Sequence, residues 1–309
     1  MRVSPSRAGL VCALALLLGV LPSGGATANN DEAGSPAHLR VVASIYPLAL
    51  IVGELGGQRV SVSTLLATGA DPHSFEATPA AVARGARADL AVLVGGELDA
   101  WARPLLSQRP GIRQLALLEV AGLAPLGDSD SDHHDPHFWL DPLRVRDAVA
   151  PALSALMIDL DPDGRDYYEQ RQREFFMALT QLDERIRQQL STLRSRQYVA
   201  LHPGWLYFAD RYGLKELGTV KHSPGKATTP RDMAELIRAG RRTGIAAVLI
   251  EPQLDRRMAR VVAAELEAAT IMVDPIGTPQ DPNRSDYLGL LSFNADAFAR
   301  ALSKGGPRP

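Results

Sequence analysis

The chain has 309 residues, of which 46% are hydrophobic and 22% charged, and its formal net charge is −2. A chain of this length can bury a large core, and it fits two domains more comfortably than one. The nearly balanced charge gives no reason to expect nucleic acid or an anionic membrane surface as a partner.

The N-terminus has the pattern of a cleavable export signal. Arg2 and Arg7 precede an apolar run over residues 8–21, and a stretch of small residues ends at Ala28. This pattern predicts a signal peptide over residues 1–28, cleaved near Ala28, with an uncleaved anchor as the alternative. No later stretch approaches the roughly 20 apolar residues of a transmembrane helix. We therefore expect a periplasmic chain without membrane insertion after cleavage, beginning with a flexible leader over residues 29–38.

The single cysteine restricts the chemistry of any metal site. Cys12 lies inside the apolar part of the signal, so cleavage leaves neither a disulfide nor a thiolate ligand. A metal site in the mature chain has to use His, Asp or Glu side chains.

The first half of the mature chain alternates short β-branched runs with helical stretches. Strands are predicted over residues 39–44, 60–65, 90–94 and 114–118. Helices are predicted over residues 47–55 and 79–87, each with proline near its first turn. This alternation is typical of a parallel sheet covered on both faces.

A long amphipathic helix interrupts the alternation. Phe175, Leu179, Leu182, Ile186 and Leu190 recur at three- and four-residue spacing without an intervening Gly or Pro, which predicts one helix over residues 166–193. Its length of roughly 40 Å exceeds what one domain requires.

The alternation then resumes. Strands are predicted over residues 198–201, 214–220, 246–250 and 270–273, and helices over residues 205–212, 230–240, 256–268 and 285–302. The predicted fold class is α/β, with two lobes that each contain a mostly parallel sheet flanked by helices, joined by one long backbone helix. The predicted domains are an N-terminal lobe at 39–160, a linking helix at 163–195 and a C-terminal lobe at 196–305.

Candidate metal ligands lie in loops next to the predicted strands and helices. His73 follows the second strand, His137 precedes a helix, His202 follows the first strand of the second lobe, and Asp274 ends its last strand. Ligands gather at the carboxyl ends of strands in open α/β sheets. Two candidates from each lobe predict a site in the cleft between the lobes. Three imidazoles and one carboxylate suit Zn²⁺, because Mg²⁺ and Ca²⁺ prefer oxygen ligands only.

Several short motifs occur in an order that resembles a known family, the zinc and manganese solute-binding receptors of ABC importers. The resemblance covers residues 39–302. The motifs that carry it are Asp71-Pro72-His73, the run from Asp135 to Pro142, His202 followed by Tyr207-Phe208 and by Arg211 to Leu214, Ile250 to Gln253, and Asp274 to Gly277.

The resemblance implies that His73, His137, His202 and Asp274 are the metal ligands. Receptors of the manganese type have glutamate at the third position, where this chain has His202, and imidazole there favours zinc. A zinc receptor implies an ABC importer permease as partner, with a periplasmic metallochaperone as a second candidate. We expect a monomer without enzymatic activity.

Secondary candidates surround these four residues. Asp132, His133, His134 and Asp135 form an acidic, histidine-containing stretch that is either an accessory metal collector or a solvated loop. Glu76 and Glu251 are candidates for hydrogen bonds to the ligating imidazoles, whose second N–H is usually satisfied.

Other functions remain open at this point. A manganese or iron receptor of the same family would use nearly the same residues. An exported zinc hydrolase would need an open coordination position and a general base, for which Glu251 is the candidate. A receptor for an organic ligand would need an aromatic and basic cleft, and aromatic residues make up only 6% of this chain. An adhesion protein would explain export but not the four ligands.

Overall fold

Two parallel sheets with the same strand order form the centre of the molecule. The computed structural model describes residues 38–120, 123, 126, 135–221 and 228–303. Each sheet has four strands in the spatial order second, first, third, fourth along the chain, and all neighbouring strands are parallel. The predicted fold class is therefore confirmed.

The first sheet follows the predicted pattern closely. Its strands are β1 (Leu39–Ala43), β2 (Val60–Thr64), β3 (Leu90–Leu93) and β4 (Arg113–Ala116). Its helices are α1 (Tyr46–Gly56), α2 (Pro79–Gly85) and α3 (Ala102–Leu106). Thr78 caps α2 by accepting a hydrogen bond from the Ala81 amide. The short α3 was not predicted, because five residues are too few for a helical period to show.

A helical segment joins the first sheet to the long helix. It comprises a 3₁₀ turn at Phe138–Leu140, α4 (Pro142–Arg144), a π turn at Val145–Val149 and α5 (Ala150–Leu160). The sequence indicated a helix after residue 139 but not its bounds. Pro151, in the first turn of α5, has no N–H to donate, which is consistent with a break in the regular hydrogen bonding just before it.

The long helix α6 (Arg165–Ser191, 27 residues) confirms the predicted amphipathic helix. Its apolar face is buried against α1, α5 and the C-terminal helix Tyr287–Ser303, which come from both halves of the chain. Residues Pro36–Pro309 form one compact unit. The domain boundaries drawn from the sequence remain predictions.

The second sheet contains β5 (Gln197–Ala200), β6 (Lys215–Thr219), β7 (Ala247–Ile250) and β8 (Ala269–Met272). Its helices are α7 (Leu206–Tyr212), α8 (Pro230–Thr243), α9 (Arg257–Glu265) and α10 (Tyr287–Ser303). All four predicted strands and all four predicted helices of this half are confirmed.

Candidate metal centre

Three histidines from distant parts of the sequence meet at the carboxyl ends of the strands. His73 lies in the loop after β2, His137 directly precedes the 3₁₀ turn, and His202 follows β5. Their ring centroids are 5.3 to 5.6 Å apart, and one ligand nitrogen from each lies within 4.8 Å of the other two. We call these three residues the histidine triad.

Hydrogen bonds fix the orientation of two rings of the triad. Nδ1 of His137 lies 2.6 Å from Oδ1 of Asp135, and Nδ1 of His202 lies 2.8 Å from Oε1 of Glu251. Each carboxylate thus engages Nδ1 and leaves Nε2 as the available ligand atom, an arrangement common around ligating histidines. Nε2 of His73 is buried and has no hydrogen-bond partner among the described residues. A bound cation would satisfy it.

The two Asp-Pro-His motifs form the same local turn. The amide of His73 donates to Oδ1 of Asp71, and the amide of His137 donates to Oδ1 of Asp135, both at 2.9 Å. Asp135, a residue of the predicted accessory stretch, is therefore hydrogen-bonded to both the amide and the ring of His137. The repeated motif was the sequence signal that could have revealed this role.

Two large aromatic side chains support the triad: the Trp139 ring lies 5.1 Å from the His137 ring, and Trp205 contacts Glu251. Trp139 and Trp205 are fully buried. Nε1 of Trp205 donates to Glu251 at 3.1 Å, and Nε1 of Trp139 donates to the Pro275 carbonyl at 2.7 Å. Gly204 is required by the close packing, because a Cβ atom there would lie 2.7 Å from the His202 ring. These contacts leave the rings little freedom to turn.

The cavity between the rings has a volume of about 10 Å³. That is room for about one water molecule or ion, whereas pockets for organic ligands have volumes of roughly 300–1,000 Å³. The size of this cavity argues against a siderophore or corrinoid at the triad.

Two histidines of the triad have pKa values shifted in opposite directions. Burial, followed by the neighbouring His137 and His202, lowers the pKa of His73 to about 4. Burial would also lower the pKa of His202, but the charge and hydrogen bond of Glu251 outweigh it, and the net pKa is raised above 6.5. His73 is therefore neutral over the physiological pH range, whereas His202 loses its proton less readily.

Asp274 is not brought together with the triad. Its buried carboxylate accepts hydrogen bonds from Gln253 and from the amides of Ile276 and Gly277, and Arg284 lies 2.7 Å from its Oδ2. The structure thus assembles three of the four ligands that the resemblance implies. The assignment of Asp274 as a ligand stays a prediction.

The remaining candidates lie elsewhere. Glu76 is exposed and makes no hydrogen bond or ion pair within the described part of the chain, whereas Glu251 is hydrogen-bonded to Nδ1 of His202. The supporting roles of both residues stay predictions. Asp132, His133 and His134 lie outside the described residues, as do the signal peptide and residues 29–37 of the leader. Gln253 and Arg284 were not identified from the sequence, because only the fold places them beside Asp274.

A family of known receptors matches most of the chain. Residues 41–301 match the ZnuA family, described as the periplasmic component A of a zinc-uptake complex. The chain belongs to this family. Its members are extracytoplasmic solute-binding proteins that bind metal and are not enzymes.

Relatives with different metal names show similar identity to this member of the ZnuA family. The zinc-binding lipoprotein AdcA of Streptococcus pneumoniae is 25% identical over 95% of this chain, which spans 62% of the length of AdcA. The manganese-binding lipoprotein MntA of Halalkalibacterium halodurans is 22% identical over 94% of this chain and 97% of its own. A zinc-bound crystal structure of a ZnuA deletion mutant is 27% identical with a TM-score of 0.78, covering 88% of this chain and 99% of that one.

None of the described helices is both long and apolar enough to cross a bilayer.

Replacing Glu251 by Gln should change both the affinity and the pH dependence of metal binding. Loss of a hydrogen-bond partner to a ligating histidine typically lowers affinity by about 10- to 100-fold. Without the Glu251 charge, burial dominates and the pKa of His202 falls. Protons then compete with the metal only at lower pH, so metal affinity begins to decline at a lower pH. Calorimetry in two buffers of different ionisation enthalpy at pH 7 should show fewer protons released per zinc ion than in the unsubstituted protein.

The matched control is Glu235→Gln, a change at an exposed glutamate on α8. It should leave affinity and proton release unchanged. Equal proton release by Glu251→Gln and the unsubstituted protein would show that Glu251 does not set the pKa of His202.

Proposed function

We propose that this chain captures Zn²⁺ in the periplasm and delivers it to the permease of an ABC importer. The single observation that supports zinc most strongly is the ligand set of three imidazoles within 4.8 Å, supported by carboxylates that engage Nδ1 of two of the rings. Imidazole suits zinc, whereas manganese favours carboxylate and carbonyl oxygens.

Capture and release need no covalent chemistry. The ion exchanges hydration water for the three imidazole nitrogens, and any proton on His202 is released when the ion binds. His137 and Glu251 are nearly fully buried, and this burial strengthens the electrostatic interaction of the ion with the Glu251 and Asp135 carboxylates behind the rings. Exchange of the ion with the permease, or with a periplasmic metallochaperone, then depends on access to the same small cavity.

The rival function is a manganese or iron receptor, which the manganese-named relatives keep open. The test is competition among zinc, manganese and iron for the demetallated protein that lacks residues 1–28, followed by elemental analysis. We expect zinc, and neither manganese nor iron, to be retained when the three metals are present at equal concentration. Retention of manganese or iron instead would contradict zinc selectivity, and retention of no metal would contradict a receptor function.

The same measurement addresses the accessory collector that we propose for the acidic, histidine-containing stretch. A second equivalent of zinc that disappears when residues 128–134 are deleted would support it. Unchanged stoichiometry after the deletion would leave this stretch as a solvated loop.

A further inference from the structure

The hydrogen bonds of Asp274 occupy both of its oxygens. Oδ1 accepts from Nε2 of Gln253 at 2.8 Å and from the amides of Ile276 and Gly277 at 3.0 and 2.9 Å. Oδ2 is paired with Nη1 of Arg284 at 2.7 Å. The residue is 1% exposed. Its negative charge is thus already neutralised by a charge-assisted hydrogen bond inside the protein.

Arg284 is itself held from several sides. Its Nε donates to Oδ2 of Asp281 at 2.9 Å, and its guanidinium lies 5.1 Å from the centre of the Phe293 ring. The loop that carries it returns to Asp274 through Gly277, which has a φ of +79° and no room for a side chain, since a Cβ atom would lie 2.8 Å from the Arg284 carbonyl. This anchoring keeps the guanidinium beside Asp274.

Gln253 connects Asp274 to the histidine cavity. Its Nε2 donates to Asp274, which directs the other end of the amide away from the carboxylate. Oε1 of Gln253 is buried without a hydrogen-bond partner among the described residues, and Gln253 lines the cavity between the three rings. A buried acceptor without a hydrogen bond lowers the stability of the protein, unless a ligand or a water molecule bound to the ligand donates a hydrogen bond to it.

We propose that Arg284 keeps Asp274 out of the coordination sphere, and that Asp274 instead orients Gln253 so that its Oε1 accepts a hydrogen bond from the water that completes the ion's coordination. This inference rests on the proposed function. Asp274 is then a positioning residue, and Arg284 determines metal specificity by withholding a carboxylate. Because manganese depends more on oxygen ligands than zinc does, withholding that carboxylate disfavours manganese more strongly.

The test compares zinc and manganese affinities of three variants by chelator competition. Gln253→Leu should weaken zinc binding at least tenfold, whereas Asp274→Asn, which can still accept from Gln253, should change it less than threefold. Arg284→Gln should strengthen manganese binding at least tenfold, about 1.4 kcal/mol, and Asp274→Asn added to it should abolish that gain. Arg40→Gln, which removes a guanidinium paired with Asp89 elsewhere, should leave both affinities unchanged.

The opposite pattern would overturn the proposal. If Asp274→Asn alone weakens zinc binding tenfold or more while Gln253→Leu has little effect, Asp274 is a direct ligand. If Arg284→Gln leaves manganese affinity unchanged, Arg284 does not determine specificity. If Asp274→Asn does not fold, the Co²⁺ absorption spectrum of Arg284→Gln tests the proposal instead. The spectrum should differ from that of the unsubstituted protein if the substitution allows the Asp274 carboxylate to bind the ion, and it should be unchanged if the carboxylate stays away from the ion. Failure of the unsubstituted protein to bind zinc would instead refute the proposed function itself.

Discussion

Replacing His202 by Ala is expected to lower zinc affinity by more than about 100-fold. Loss of an outer hydrogen-bond partner costs about 10- to 100-fold, and His202→Ala removes both a ligand nitrogen and the contact of Glu251 with the site. The two remaining imidazoles cannot enclose an ion from three sides. Chelator competition with zinc at pH 7.5 measures the effect, with a thermal melt of the metal-free proteins to confirm that the variant is folded.

The control for this experiment is His38→Ala. His38 is 49% exposed and lies beside Asp161, outside the triad, so its removal should leave zinc affinity unchanged. If His202→Ala binds zinc within threefold of the unsubstituted protein, the triad is not the primary site and the proposed function is wrong.

The positions of the three histidines were predictable because they depend on local features of the sequence. His73 and His202 follow strands whose parallel arrangement could be inferred, and such strands end at the same edge of a sheet. His137 stands in the second of two Asp-Pro-His motifs. The sequence pattern therefore contained both the residue types and their approximate place in the fold.

The surroundings of Asp274 were not predictable for a physical reason. A carboxylate that is already paired with a cationic side chain is less available to a metal ion. Arg284 forms such a pair with Asp274, but it is ten residues away in a loop without periodicity, so the sequence does not show the pairing. Gly277, whose positive φ turns this loop back, also occurs in the family motif, but sequence spacing does not give its dihedral angles. Glu251 was a candidate partner of a ligating imidazole, but its hydrogen bond with Trp205 was not predictable, because it joins side chains 46 positions apart.

The segment that carries His137 is held mainly by residues from the second half of the chain. Trp139 donates to the Pro275 carbonyl, and Tyr287 donates to the Trp139 carbonyl at 2.5 Å. Arg211 on α7 makes two hydrogen bonds of 2.8 Å to Asp141. His137 therefore precedes the long helix in sequence, yet its position depends on the second sheet and its helices.

Asp141→Ala should consequently destabilise the protein strongly. Asp141 is fully buried, and besides Arg211 it accepts hydrogen bonds from the amides of Leu143 and Arg144 at the start of α4. Breaking a buried ion pair from one side costs about 3–5 kcal/mol, and loss of the helix cap adds about 1 kcal/mol. Arg211 is 26% exposed, so solvent offsets part of this cost. We expect the free energy of unfolding to fall by about 3 kcal/mol.

Denaturant unfolding of the metal-free proteins measures this loss in the free energy of unfolding. Two further variants show which interaction causes it. Asp159→Ala breaks the exposed pair with Arg113 and should cost less than about 1 kcal/mol. Asp141→Leu combined with Arg211→Met removes both charges of this pair, whereas Arg144, whose Nε lies 3.4 Å from Oδ2 of Asp141, keeps its charge. The double variant should therefore recover part of the stability lost in Asp141→Ala. A double variant as unstable as Asp141→Ala would assign the loss to the helix cap and to Arg144, and not to the unpaired charge of Arg211. A loss no larger than that of Asp159→Ala would show that desolvation cancels the attraction between Asp141 and Arg211, leaving Trp139 and Tyr287 to position His137.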